Sequence, residues 1–460
     1  MSLSLQPTLF DLPRMTDMNA RQIHILRSPN HHGSSARDAQ PYLDELGISI
    51  LDNPQPIQFF RNNNEAIHRW SPYVQGFSSQ FVQRMLERFA PEYHQPLVLD
   101  PFAGSGTVMI QAKLNGFPSV GIELNPLLHF IAQTKLEAWG VSPDRLRTVV
   151  EGLNPRVKYK APDFLESERQ FNPGVLRNLE ILKASIDSFE PYNEEDQQIK
   201  NLLLVAFAAI LIDCSNLKRT PCLGYSPHKQ VEDQTPFTLF NRKIREICED
   251  LTFIHTFHAR DMSVPAQIIL GNSIYYEHPQ LYDLVITSPP YMNGLDYVIN
   301  YKIEMGWLGF GRDHRDLKRL KDEMVVCDNV SKGLIRRFSQ TEHRYTNPWL
   351  EDIKTRIREN IQRRGAYRRQ DMPEIVHKYF DDMYRVMQRV TQALKPNGRF
   401  ILVVGDSLIA DVYVPTDLIL ARMGRELGLV IEAVEKARNR RSGQIRSYQL
   451  RESIVILKKE

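Results

Sequence analysis

An α/β fold is predicted for this chain: a mostly parallel sheet wrapped by helices, ended by an antiparallel hairpin and interrupted by two largely helical insertions. Three observations predict it. A short apolar strand at Leu97 to Leu99 passes through a glycine turn into an apolar helix and a second strand, the βαβ unit of parallel sheets. The same alternation resumes at Gln267 to Leu270 and Asp283 to Thr287, after a long stretch of helical periodicity. From residue 373 onward, helix, turn and strand signals alternate again and finish in two apolar strands.

Composition sets the outer bounds. A chain of 460 residues with 42% hydrophobic and 25% charged residues has ample material for a core and is unlike a disordered or fibrous protein. Its net charge of +3 excludes a general polycation, so any nucleic-acid contact must come from local clusters. The longest apolar run, Leu202 to Ile212, falls short of the roughly 20 residues that span a bilayer and reads as a buried helix. The opening residues carry Asp11 between Pro7 and Pro13 instead of a basic flank and apolar block, so no secretory signal is visible and a cytoplasmic location is expected. Cys214, Cys222, Cys248 and Cys327 show no paired spacing, so neither a zinc site nor a disulfide framework is expected.

Taken in order, residues 1–55 read as an irregular N-terminal arm rich in Pro, Asn, Ser and His. The first half of the sheet domain occupies 56–140. A helix is expected over Glu65 to Phe89, with Phe77, Phe81, Val82, Met85 and Leu86 at helical spacing behind a Ser78 cap. The strand at Leu97 to Leu99, a helix near Val108 to Leu114 and a strand at Ser119 to Glu123 follow. Residues 141–262 form the first, helical insertion. Strands return over 263–300. Residues 301–372 form the second insertion, charged and helical. Over 373–460 come a helix at Pro373 to Leu394, a Pro396-Asn397-Gly398 turn, a strand at Arg399 to Val404, a helix at Asp417 to Leu427, and strands near Val430 to Glu435 and Ser453 to Lys458.

Two segments carry chemistry. In Val98-Leu-Asp-Pro-Phe-Ala-Gly-Ser-Gly-Thr107, glycines between strand and helix let the backbone turn tightly and approach a ligand. Glu123 ends the next strand, where a carboxylate accepts from ribose hydroxyls. No Gly-Lys-Ser/Thr ending is present, so this is not a phosphate loop. The second segment, Asp283-Leu-Val-Ile-Thr-Ser-Pro-Pro-Tyr291, is an apolar strand with a rigid end. Pro289 and Pro290 fix the backbone and remove amide donors, leaving acceptors at Ser288 and the Pro289 carbonyl to grip an amine. An exocyclic base amine needs such help, because its lone pair is delocalised into the ring. Tyr291 offers a ring on which a base flipped out of the duplex stacks.

Asp100-Pro-Phe-Ala-Gly-Ser-Gly-Thr107 and Thr287-Ser-Pro-Pro-Tyr291 resemble the cofactor and catalytic segments of the DNA amino-methyltransferases, the Ser-Pro-Pro-Tyr form being typical of the cytosine-N(4) group. The resemblance covers roughly 65–140, 265–300 and 373–460. It implies a Rossmann-like class I methyltransferase fold with a mostly parallel seven-stranded sheet, a cofactor site in 56–140, and S-adenosyl-L-methionine as cofactor. Cofactor residues would be Asp100, Gly104 and Gly106 near the methionine part and Glu123 on the ribose, together with Pro101, Phe102, Ser105, Thr107, Leu124 and Asn125. His68 to Ser78 resembles the family segment lining the methionine end, which adds Tyr73, Phe77 and Ser78. Asn272, with Ser273, stands where the family commonly has an acid that contacts the adenine amine. Adenine-N(6) enzymes usually carry Asp or Asn before Pro-Pro-Tyr, so Ser288 favours cytosine. A carbon-5 enzyme needs a Pro-Cys nucleophile, and Pro221-Cys222 lies in the helical insertion, away from any strand end.

The implied partner is double-stranded DNA, together with a cognate restriction nuclease or another defence component. From Arg312 to Arg369 there are 16 Lys or Arg against 9 Asp or Glu, which makes the second insertion the candidate for target recognition. Its pairs Arg336-Arg337, Arg363-Arg364 and Arg368-Arg369 interleave with aromatic residues, and Arg438, Arg440 and Arg441 cluster in the expected hairpin turn. Three alternatives stand beside this reading: adenine N(6) as the target, an RNA amine methyltransferase, and a catalytically silent DNA-binding subunit that keeps the fold.

Overall fold

Leu284 and Ile286 pack on one face of a central sheet and Val285 on the other, as the two-residue period of a strand buried on both sides requires. Neighbouring strands divide their apolar residues likewise: Ile401 and Val403 against Phe400, Leu402 and Val404, and Ile454 and Ile456 against Val455 and Leu457. The computed structural model describes residues 34–460 except 74, 75, 220, 221, 293, 295, 328, 329, 366, 443, 444, 446 and the side chains of 59–61.

The strands are β1 (Ile50–Asp52), β2 (Val98–Asp100), β3 (Ser119–Glu123), β4 (Leu217–Arg219), β5 (Leu223–Tyr225), β6 (Ala266–Leu270), β7 (Tyr282–Thr287), β8 (Leu394–Gly405), β9 (Ser407–Ile409), β10 (Val412–Val414), β11 (Leu429–Arg441) and β12 (Gln449–Lys459). The main sheet runs β1-β11-β12-β8-β7-β2-β3-β6. Only β12 is antiparallel to its neighbours. The order reverses direction between β2 and β7, which is where α/β sheets open a crevice at their carboxyl ends.

Eight strands form this sheet where seven were expected, because β1 adds to the edge beside β11, with Ile50 opposite Val434. The described part of the expected irregular arm therefore holds this strand and two short helices, Ser35–Asp38 and Gln40–Leu46; residues 1–33 lie outside the described residues. Three residues are too few to show a period, and what holds the arm is tertiary: the Arg451 guanidinium donates to the Ser35 carbonyl and Tyr448 to Asp38.

Of the helix expected at Glu65 to Phe89, the α-helical part is Ser79–Phe89, with the Ser78 hydroxyl capping it as its sequence suggests, and a short 3-10 turn stands at His68–Trp70. Upstream, the buried Asp250 carboxylate collects the Ile67 N–H at 2.9 Å, the Trp70 indole N–H at 2.8 Å and the Arg69 guanidinium at 2.7 Å, and these bonds override helical propensity. The Pro396-Asn397-Gly398 turn lies inside β8. Tyr282 pairs with Leu394 and Leu284 with Arg399, so the intervening residues bulge from the ladder, with Asn397 at φ +63°.

The first insertion packs helices Pro143–Glu151, Pro173–Asp187, Glu194–Cys214 and Thr235–Phe257 into the core on one sheet face. Among the described residues Glu194–Cys214 is the one helix long and apolar enough to cross a membrane, and most of its apolar side chains are buried in this core. The second insertion divides itself. Ile303, Met305 and Trp307 join that same core, whereas Val325, Ile335, Ile353 and Ile357 join the opposite one. Residues 301–372 thus pass from one face of the sheet to the other.

Candidate active site

The carboxyl ends of β2, β3, β6 and β7 share one cleft, lined by Pro101, Phe102, Glu123, Asn125, Asn272, Ser288 and Pro290 among others. Across its floor the Thr287 hydroxyl donates to Asp100 at 2.6 Å, which ties the two motif-bearing strands together. Asp100 also accepts the Phe102 N–H at 2.9 Å. Burial raises the Asp100 carboxyl to about 7, against the lowering pull of the Thr287 and Phe102 donors.

After Asp100 the chain bends through Gly104 and Gly106 at φ +53° and +88°, a region that favours glycine. A Cβ at Gly104 would stand 2.7 Å from the Tyr73 hydroxyl. The Gly104 N–H donates to one Glu123 oxygen at 2.8 Å and the Asn125 N–H to the other at 2.7 Å. Burial lifts Glu123 to about 7 as well, offset in part by these two donors. The Asn125 side chain caps Pro126–Glu137 by accepting the Leu127 N–H at 3.0 Å. Tyr73 stacks 6.2 Å from Tyr297, and burial pushes its phenol well above the usual range.

Of the cofactor residues expected from sequence, Tyr73, Pro101, Phe102, Glu123, Leu124, Asn125, Asn272 and Ser273 line the cleft. Asp100, Gly104, Ser105, Gly106 and Thr107 build the loop behind it, and the Ser105 hydroxyl is buried without a hydrogen-bond partner. Two do not belong to the wall. Phe77 is a core residue packed 5.7 Å from Phe81, and Ser78 is spent on its cap and on the Pro56 carbonyl. Asn272 lines the cleft, but its oxygen accepts the Ile274 N–H at 3.0 Å and its amide donates to the Glu323 carbonyl at 2.7 Å. These two bonds brace the loop, and the second lone pair of the oxygen is the acceptor that the sequence reading gave to an adenine amine. The Ser273 hydroxyl donates to the Pro101 carbonyl. Sequence reasoning missed Ile122, Leu128, Tyr297, Met324 and Val325 in the wall. The last two come from the second insertion, and nothing local in the sequence announces them.

In the second motif Ser288 and Pro290 face the cleft while Pro289 is buried beneath. Tyr291 turns toward the terminal hairpin: its hydroxyl donates to the Glu452 carboxylate at 2.5 Å, and the Arg440 guanidinium lies 5.8 Å over its ring. Burial first, then the Glu452 charge, keep the phenol protonated far above its ordinary range. Of the pair Pro221-Cys222, Pro221 lies outside the described residues and Cys222 is exposed.

The arginines expected to guide phosphates divide. Arg336, Arg337, Arg363 and Arg368 are exposed, and Lys332, Arg336, Arg368 and Arg369 rim one open basin. Arg369, however, is held bidentate by Asp371 at 2.8 and 2.6 Å, and Arg364 is paired with Asp411. Arg438, Arg440 and Arg441 belong to β11 itself instead of a turn, and Arg446 lies outside the described residues. Arg438 donates to Glu452 and Arg440 to the Asp406 carbonyl, so both turn inward, and only Arg441 of the three is exposed. Apart from Asp371, two residues beyond the counted stretch, these acceptors lie far along the chain, where a local charge count does not register them.

Comparison with known proteins gives sequence relatives of one kind. No family model matches the chain. It is 24% identical over 514 residues to Type II methyltransferase M.BsoBI from Geobacillus stearothermophilus, covering 100% of this chain and 99% of the relative. It is 24% identical to Type II methyltransferase M.AvaI from Nostoc sp., covering 86% of each, and 22% identical to Type II methyltransferase M.MvaI from Kocuria varians, covering 84% and 87%. Among solved structures, TrmN from Thermus thermophilus aligns at 10% identity with a TM-score of 0.26 over 83% of this chain and 49% of that one. The rRNA methyltransferase aviRa from Streptomyces viridochromogenes aligns at 12% identity with a TM-score of 0.31 over 88% and 94%. Both superpositions are too loose to bear on function.

Proposed function

We propose that this chain is an S-adenosylmethionine-dependent DNA methyltransferase that modifies the exocyclic amine of a flipped base, with cytosine N(4) the favoured target. The observation that carries this reading is the meeting of two strand ends in one cleft, with Asp100 bonded to Thr287 and Glu123, Ser288 and Pro290 in its wall. Full-length similarity to type II methyltransferases supports it.

The residues present suit the cofactor. Phe102, Ile122, Leu128 and Val325 supply apolar wall for an adenine, and Glu123 supplies the carboxylate for ribose hydroxyls. The backbone at Gly104 leaves no room for a side chain beneath Tyr73, so the methionine end has a cradle that only glycine keeps open. S-adenosylmethionine is the methyl donor, its sulfonium making the methyl carbon electrophilic.

The chain's own part is to hold and aim the base. Ser288 and the Pro289 carbonyl accept from the two amine hydrogens, which favours a tetrahedral nitrogen whose lone pair points at the methyl carbon. Prolines at 289 and 290 keep those acceptors in place with little entropy to lose. Tyr291 contributes a ring face and not a base, since its proton is committed to Glu452. Double-stranded DNA lies along the exposed arginines of the second insertion, and a cognate nuclease is the companion this reading implies.

The test is expression in cells free of DNA methylation, followed by sequencing that separates modified cytosine from modified adenine. N(4)-methylcytosine in a fixed sequence is the expected product. Methyladenine in a fixed sequence would remove the cytosine assignment, and unmodified DNA with methylated RNA would remove DNA altogether.

A further inference from the structure

Tyr291 is tethered by a residue far away in the chain, in a strand outside both motifs. Glu452 sits in β12 opposite Gly405, the last residue of β8, and opposite Arg438 of β11. Its side chain is only 9% exposed, and each oxygen has its own donor: the Tyr291 hydroxyl at 2.5 Å on one, the Arg438 guanidinium on the other.

A buried carboxylate is costly unless both oxygens are satisfied. Arg438 alone is a weak reason to keep one there, because its side chain is 35% exposed and solvent screens such a pair. The phenol bond makes the arrangement complete. It also spans 161 residues, so it joins the catalytic loop to the terminal hairpin. The charged groups facing Glu452 are Arg438 on β11 and, across the Tyr291 ring, Arg440, which is itself anchored on the Asp406 carbonyl.

The loop needs such a tether. Beyond Thr287 the ladder ends, Pro289 and Pro290 have no N–H to give, and the bond from the Gly294 N–H to the Tyr291 carbonyl at 2.8 Å is local. Within that turn the phenol meets the Ser288 side chain, which belongs to the same loop, so Glu452 is the anchor that ties the ring to the sheet. We propose that Glu452 is a positioning residue: its carboxylate holds the Tyr291 ring, and with it the Ser288 to Tyr291 loop, in the pose that receives the base. This rests on the functional reading above, since without a base to receive the tether would be structural only.

Two measurements on the full chain test it. In single-turnover methyl transfer to duplex DNA, Glu452→Ala and Tyr291→Phe should each slow the step by about tenfold to a hundredfold, while S-adenosylmethionine affinity moves by less than about twofold. The double variant should fall no more than about twofold below the slower single, because the Tyr291–Glu452 bond is already lost in each single variant. Glu452→Gln, which keeps an acceptor, should restore most of the rate. Losses that multiply, or a Glu452→Ala enzyme as fast as the parent, would overturn the proposal. Amide exchange of the peptide spanning 286–300 gives a readout independent of activity: Glu452→Ala should speed it and Glu452→Gln should not. Unchanged exchange in Glu452→Ala overturns the tether even in an active enzyme. Faster exchange in a protein that methylates no DNA keeps the tether and removes the DNA methyltransferase reading instead.

Discussion

Gly104 is the residue at which sequence, backbone and site meet most tightly. Its φ of +53° is in the region that favours glycine, and a Cβ there would press on the Tyr73 hydroxyl at 2.7 Å. A left-handed alanine costs about 1 kcal/mol on its own, so the fold survives Gly104→Ala. The contact with Tyr73 does not, and cofactor affinity measured by calorimetry should drop at least about tenfold, the 1.4 kcal/mol equivalent of displacing that ring. The carboxylates beside it make a second prediction. Burial raises Asp100 and Glu123 to about 7 in the folded chain. Their folded state binds protons more tightly than the unfolded chain between roughly pH 4 and 7, so their contribution to stability of the cofactor-free protein falls as pH rises through that window and levels above it. Cofactor binding runs the other way. Ribose hydroxyls are best accepted by an ionised Glu123, so affinity should climb several-fold from pH 6 to pH 8, with proton release in calorimetry run in buffers of different ionisation enthalpy. Flat affinity across that range would mean that Glu123 is already ionised or is not the ribose acceptor.

At the scale of elements, strand ends were legible and their cross-chain partners were not. Ser119–Glu123 has the same bounds in sequence and structure, because an apolar run between a glycine turn and an Asn-Pro helix start leaves little choice. The segment before the glycine loop shows the opposite. Phe77 and Ser78 carry the right spacing and look like cleft residues, yet one is core and the other is a cap, since Asp250, far along the chain, fixes the backbone before them. Ser78→Ala should therefore cost about 1 kcal/mol in chemical denaturation, the usual value of an N-cap, and leave cofactor affinity within about twofold. Met324 and Val325 were invisible for a related reason. They reach the cleft because their insertion packs part of its apolar residues on each face of the sheet, a choice set by tertiary burial and not by local period. Asn272 could be placed, but not its bond to the Ile274 N–H, a local cap that sequence position alone does not announce.

Across the whole molecule the formal charge of +3 hides an uneven surface. The second insertion brings Arg336, Arg337 and Arg363 to solvent, and among the described residues none of the three is in an ion pair, whereas Arg364 of the same insertion is already neutralised by Asp411. A duplex that lays phosphates along this surface releases about 0.9 of a counterion per contact, so the logarithm of affinity falls with the logarithm of salt by that amount for each phosphate engaged. Replacing Arg336, Arg337 and Arg363 together by Ala should flatten that slope by about 2 to 3, and should weaken specific and nonspecific duplexes alike, because phosphate contacts position without reading sequence. Arg364→Ala should change the slope far less, since breaking its pair with Asp411 must precede any phosphate contact. Fluorescence anisotropy with a labelled duplex between 50 and about 200 mM salt measures both. Equal slopes for the triple variant and the parent would move the DNA off this face and toward the exposed Arg441 end of the terminal hairpin, and with it the direction from which a flipped base enters the cleft.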